Sequence, residues 1–77
     1  MLQKLENLIE AGGDIEISIG NQKYTILPWT EKGIIIGLQE TDEEQVFQTV
    51  DTLLDNYMID GVPLRHLENQ IKILFHS

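Results

Sequence analysis

Chemistry needs reactive groups at workable spacings, and the chain offers few. It contains no cysteine, which removes thiolate nucleophiles, disulfides and thiolate zinc sites together. The hydroxyls do little better. Ser18 falls on the polar face of an alternating run, Ser77 is the last residue of the sequence, and Thr25, Thr30, Thr41, Thr49 and Thr52 have no base at an activating distance along the chain. On a helix His66 and His76 would stand about 80 degrees apart round the axis, and neither belongs to an HExxH-like pair at i, i+4. The glycines form neither GxGxxG nor GxxxxGK(S/T), so a phosphate loop has no support. No catalytic, cofactor-binding or metal-ligating residue is nominated.

Carboxylates are the groups in excess. The formal net charge is −8, and residues 33–64 hold seven acids (Glu40, Asp42, Glu43, Glu44, Asp51, Asp55, Asp60) with no Lys or Arg. Local structure accounts for most of them. Asp42, Glu43 and Glu44 follow Thr41 as the acidic first turn of a helix with a Thr41–Glu44 capping box, and Asp60-Gly61 is turn chemistry. Glu40, Asp51 and Asp55 are left without a local role. Asp51 and Asp55, at i, i+4, share a stripe that Arg65 on the next helix could neutralise as an ordinary surface pair. Otherwise that stripe is an acidic face for a basic partner.

Two apolar residues complete the candidate list. Trp29 is the only tryptophan and follows a proline in a connection, a setting that suits either an interface anchor or a lid on the end of a sheet. Ile35 is the middle of three consecutive isoleucines, so it sits on the face opposite to Ile34 and Ile36. The nominated protein-binding residues are therefore Trp29, Ile35, Glu40, Asp51 and Asp55. Trp29→Ala is expected to weaken association by at least about 1 kcal/mol in a chain that still folds.

These residues are positioned by six expected elements. Leu2, Leu5, Leu8 and Ile9 recur at helical spacing and stop at Gly12-Gly13, giving a helix over 2–11. From Asp14 the period becomes two, and Ile15, Ile17 and Ile19 mark a strand over 14–19. Gly20-Asn21 makes a two-residue hairpin turn, which sets Ile19 against Gln22, Ile17 against Tyr24 and Ile15 against Ile26. The second strand, 22–28, ends at Pro28 for want of an amide donor. A third spans 33–38, with Ile34–Ile36 as a possible open edge whose two apolar faces imply that the outer face is covered. Val46, Phe47, Val50, Leu53, Leu54 and Tyr57 fit a helix over 42–58, and Leu64, Leu67, Ile71, Leu74 and Phe75 another over 63–75.

The expected fold is thus α+β, in the order α-β-β-β-α-α, with a three-stranded antiparallel meander packed by helices in one domain over 1–77. Two domains do not fit this length. No hydrophobic run reaches the roughly 18 residues that span a bilayer, and the leucines near the start are broken by Lys4, Glu6 and Asn7. A cytoplasmic protein without membrane association is expected. Excess negative charge disfavours direct nucleic-acid binding. Three apolar helix faces are more than one face of a small sheet can bury, and a chain this short lacks any disulfide staple. A homodimer is the expected remedy. The function expected is a non-enzymatic protein-interaction module that self-associates. The alternative is an acidic inhibitor or nucleic-acid mimic acting on a basic protein, with a small enzyme a distant third.

Overall fold

A computed structural model describes residues 2–77, and Met1 lies outside the described residues. The chain forms α1 (Leu2–Ala11), β1 (Ile15–Ile19), β2 (Gln22–Thr30), β3 (Gly33–Leu38), β4 (Gln45–Phe47), α2 (Val50–Asn56), β5 (Met58–Ile59) and β6 (Val62–Pro63). A 3-10 helix (Leu64–Gln70) and β7 (Ile71–His76) complete it. The class is α+β, a helix leads into the β1-β2-β3 meander, and helical segments follow, as expected.

The hairpin register is the expected one throughout: Ile19 faces Gln22, Ile17 faces Tyr24 and Ile15 faces Ile26. Gly20 carries a φ of 61°, a conformation that glycine adopts without steric cost at the first position of such a turn. Ile15, Ile17, Ile19, Tyr24, Ile26, Ile34, Ile36 and Ile71 line one face of the sheet. Against them pack Leu5 and Ile9 of α1, Val50, Leu53 and Leu54 of α2, Tyr57, and Leu64 and Leu67 of the 3-10 helix.

Several expected boundaries move. β2 does not end at Pro28 but continues to Thr30, which pairs with Gly33 after the register shifts between Leu27 and Thr30. Pro28 cannot donate to the ladder, so it occupies the irregularity and Trp29 takes a left-handed φ of 60°. The helix expected over 42–58 is only Val50–Asn56. Thr41 caps no helix: its hydroxyl donates to Leu38 O and accepts from Glu43 N–H within a turn. The helical cap is Thr49, whose side chain accepts from Thr52 N–H while Thr52 returns the bond to Thr49 N–H.

Val46 and Phe47 satisfy a helical period, yet they form β4, which pairs with β3 through Ile36↔Gln45, Ile35↔Val46 and Ile34↔Phe47. A strand edge of unmet N–H and C=O groups drew them there. β3 is therefore an inner strand. Gly37 permits the approach of the chain entering β4, because a Cβ at that position would stand 2.3 Å from the Glu43 carbonyl oxygen.

The helix expected over 63–75 is a 3-10 helix over its first half and strand β7 over its second. Ile71 and Ile73 are β-branched and alternate with Lys72, and β1 offered a free edge to pair with. The sheet consequently has five strands in the order β4-β3-β2-β1-β7. Asp60 and Gly61, with φ of 52° and 81°, turn a separate two-stranded β5-β6 hairpin.

Two expectations about packing change with these boundaries. The third long helix face, which motivated the dimer argument, does not exist. Nor is the outer face of the sheet covered: each helix of the described residues buries its apolar side in the one inner core.

Candidate functional site

Open sheet surface is the feature that sets this molecule apart from a closed two-layer domain. On the outer face Leu27, Ile35 and Val46 stand directly opposite one another across β2, β3 and β4. They make a cross-strand apolar row that strand neighbours only half cover: Leu27 and Ile35 are half-buried and Val46 is 39% exposed. Beside the row the face turns polar. Gln39 donates from Nε2 to Thr25 Oγ1 at 2.9 Å and to Glu16 Oε1 at 3.3 Å, and Phe75, opposite Glu16 on β7, is 50% exposed. Large apolar side chains left open on one face mark interaction surfaces more often than catalytic ones.

Trp29 lies at the end of β2. Its indole Nε1–H donates to Ile9 O at 2.9 Å, near the carbonyl end of α1, where Gly12 N–H bonds the same oxygen. The ring is 49% exposed. It acts as a lid with one edge and offers apolar surface with the other.

The acidic stripe has a partner. Asp51 and Asp55 on α2 both accept from the Arg65 guanidinium, Asp51 Oδ1 at 3.1 Å from Nη2 and Asp55 Oδ1 from Nε. These bonds, Asp55 first and Asp51 second, hold Arg65 above its ordinary pKa. Glu40 stands apart in the turn after β3, with a φ of 70°. The structure therefore does not join the nominated residues into one surface. Ile35 is on the open sheet face, Asp51 and Asp55 are on the helical layer, and Trp29 is at the sheet end.

A cleft of about 600 Å³ opens between the β1-β2 turn and the β5-β6 hairpin, with Tyr24, Tyr57, Glu43 and Gln70 among its lining. Two of its polar groups, Glu43 and Tyr57, are bound to each other. Glu43 Oε2 accepts from Leu38 N–H at 2.8 Å and from the Tyr57 hydroxyl at 3.1 Å. Burial, then the hydrogen bond to Glu43, pushes the Tyr57 hydroxyl far above its usual range, and burial raises Tyr24 as well. Both phenols stay protonated at neutral pH and offer no base. The arrangement braces the loop after β3 against the end of α2. Sequence spacing could not reveal this brace, because Glu43 and Tyr57 belonged there to a single long helix.

His66 and His76 are exposed on different elements, the 3-10 helix and β7. Among the described residues no three His, Cys, Asp or Glu side chains cluster to hold a metal ion, and no helix is long and apolar enough to cross a membrane. No protein-family model matches the chain, and comparison with curated proteins and with solved structures finds no match.

Proposed function

We propose that this protein is a non-catalytic interaction module that binds another protein chain on the uncovered face of its sheet and also self-associates. The observation that carries the reading is the in-register row Leu27–Ile35–Val46 on a face that no described helix covers. Apolar anchoring there, rimmed by Gln39, Glu16 and Thr25, has the composition of a protein interface, with an apolar centre and a polar margin. A chain without cysteine suits a reducing compartment, and the cytoplasm is the location we assign.

The acidic-mimic reading has weaker support. It needs carboxylates free on one face, whereas Asp51 and Asp55 share Arg65, and Glu43 is tied to Leu38 and Tyr57. Photo-crosslinking in cells tests the preferred reading. A benzophenone amino acid at Val46 should yield protein adducts, and the same probe at Asn56, exposed on α2, should yield few. Equal yields at the two positions, or none at Val46, would overturn it.

A further inference from the structure

We propose that two copies of this chain join along the free edge of β7, strand against antiparallel strand across a two-fold axis, so that their sheets become one. This rests on the reading above that the protein works by binding protein, and it names a second copy as one occupant and β7 as the place.

Backbone direction comes first. In a two-residue hairpin the pair that closes the turn, here Ile19 and Gln22, exchanges hydrogen bonds. Alternate residues of β1 therefore bond to β2, and those between them, Glu16 and Ser18, turn their amides and carbonyls towards β7. The bond from Ser77 N–H to Asp14 O at 3.0 Å has the same parity. Lys72, opposite Ser18, thus faces β1, and the N–H and C=O of Ile73 face outwards. Those two groups form a ready ladder rung for another strand.

The two ends of the sheet are unlike. Proteins protect a sheet edge by keeping it short, by placing charge on it and by bulging it. β4 is so protected: it has three residues, and Glu40, Asp42, Glu43 and Glu44 precede it. β7 is less protected: despite Lys72 and the irregularity after Ile73 it has six residues and no acid, and its Leu74 and Phe75 are 43% and 50% exposed. Charge selects the same edge. Two chains of net charge −8 repel, and residues 61–77 hold a single acid, Glu68, with Arg65 and Lys72. Copies meeting along β7 bring fewer carboxylates of the edge strand and its flanks together than copies meeting along β4.

Register follows from the same residues. Setting Ile73 against its symmetry mate joins the outward N–H and C=O groups reciprocally. Centring the axis one residue earlier would oppose Lys72 to Lys72, which like-charge repulsion disfavours. The irregularity between Glu16 and Ile17 falls on β7 just after Ile73, so Ile71–Ile73 is the regular part of the strand and Ile73 offers its last regular rung.

Sedimentation equilibrium over a concentration series, with amide hydrogen exchange on the same samples, decides the matter. The wild type should reach a dimer and stop. Its Ile73 amide should exchange more slowly as concentration rises, and salt should tighten the dimer by screening the net charge. Leu74→Lys, or Phe75→Lys if the first variant fails to fold, should weaken the dimer on the order of tenfold. Ile35→Glu should leave it unchanged. A wild type that stays monomeric, species that grow beyond the dimer, an Ile73 amide indifferent to concentration, or a dimer lost with Ile35→Glu and kept with Leu74→Lys would each overturn the proposal. A monomer that still cross-links at Val46 removes the β7 interface and leaves the open-face reading intact, whereas a dimer with no Val46 adducts does the reverse.

Discussion

Tyr57 draws together separate parts of the chain. Its ring meets Tyr24 and Phe47 edge to face, with centroids 6.0 and 6.5 Å away, and its hydroxyl donates to Glu43. Folding raises its pKa from an ordinary 10.0, so the folded state resists losing this proton. That contribution is whole below about pH 10, where the unfolded phenol is also protonated, and is lost as pH rises above it. Stability measured by urea unfolding should therefore fall on the alkaline side, and Tyr57→Phe should flatten the fall without abolishing it, because Tyr24 is raised too. Trp29 is the other residue with two roles. Removing only its indole donor with Trp29→Phe deletes the bond to Ile9 O and should lower stability by about 1 kcal/mol. An unchanged urea midpoint would show that the left-handed bend at Trp29 is held by other contacts. Trp29 was legible as a special residue because it is a lone aromatic after a proline. Its donor's partner was not, since Ile9 lies twenty positions earlier.

At the scale of elements, α2 tests how a helix start is chosen. Both Thr41-Asp42-Glu43-Glu44 and Thr49-Val50-Asp51-Thr52 offer a capping hydroxyl, and the first has the stronger sequence signature. The structure uses the second, because the residues between them complete the edge of β3 as β4. Thr49→Ala should cost about 1 kcal/mol in thermal or chemical unfolding. Glu44→Ala, at an exposed position of the turn, should stay within about 0.5 kcal/mol. The reverse ranking would place the helix start at Thr41. β7 teaches the same lesson. Leu64, Leu67, Ile71, Leu74 and Phe75 fit a helical face, but Ile71 and Ile73 also fit a strand, and only the waiting edge of β1 separates the two. Short apolar segments are ambiguous in period, so a distant hydrogen-bonding partner settles their state.

For the molecule as a whole, one core bears the stability. Leu53 and Leu54 are wholly buried against the isoleucines of the sheet. A chain of this length has a net stability of about 4 to 12 kcal/mol, and Leu53→Ala should remove about 2 to 5 of it. Circular dichroism should find that variant partly unfolded near its wild-type melting range; a melting temperature within a degree or two would mean the site collapses around the loss. The dimer expected from surplus helix faces has lost that premise, since the third helix is a 3-10 turn and a strand. The self-association proposed above rests instead on the less protected edge of the sheet, β7, and leaves the uncovered face to a different protein. The −8 charge is likewise relocated: two of its acids are shared by Arg65 and one is built into the Glu43–Tyr57 brace.

Sequence by itself determined the α+β class, α1, the β1-β2 register and which isoleucines face inwards. These features follow from local period and a two-residue turn, in which interacting positions are fixed by the backbone between them. It also pointed to the Asp55–Arg65 pair, because a short connection must bring those residues close. Tertiary structure alone decided that Gln45–Phe47 and Ile71–His76 are strands, that β3 is interior, and that the sheet's outer face stays open. Each of these depends on which distant segment satisfies an exposed row of amides and carbonyls, and periodicity within a short apolar segment carries no information about that partner.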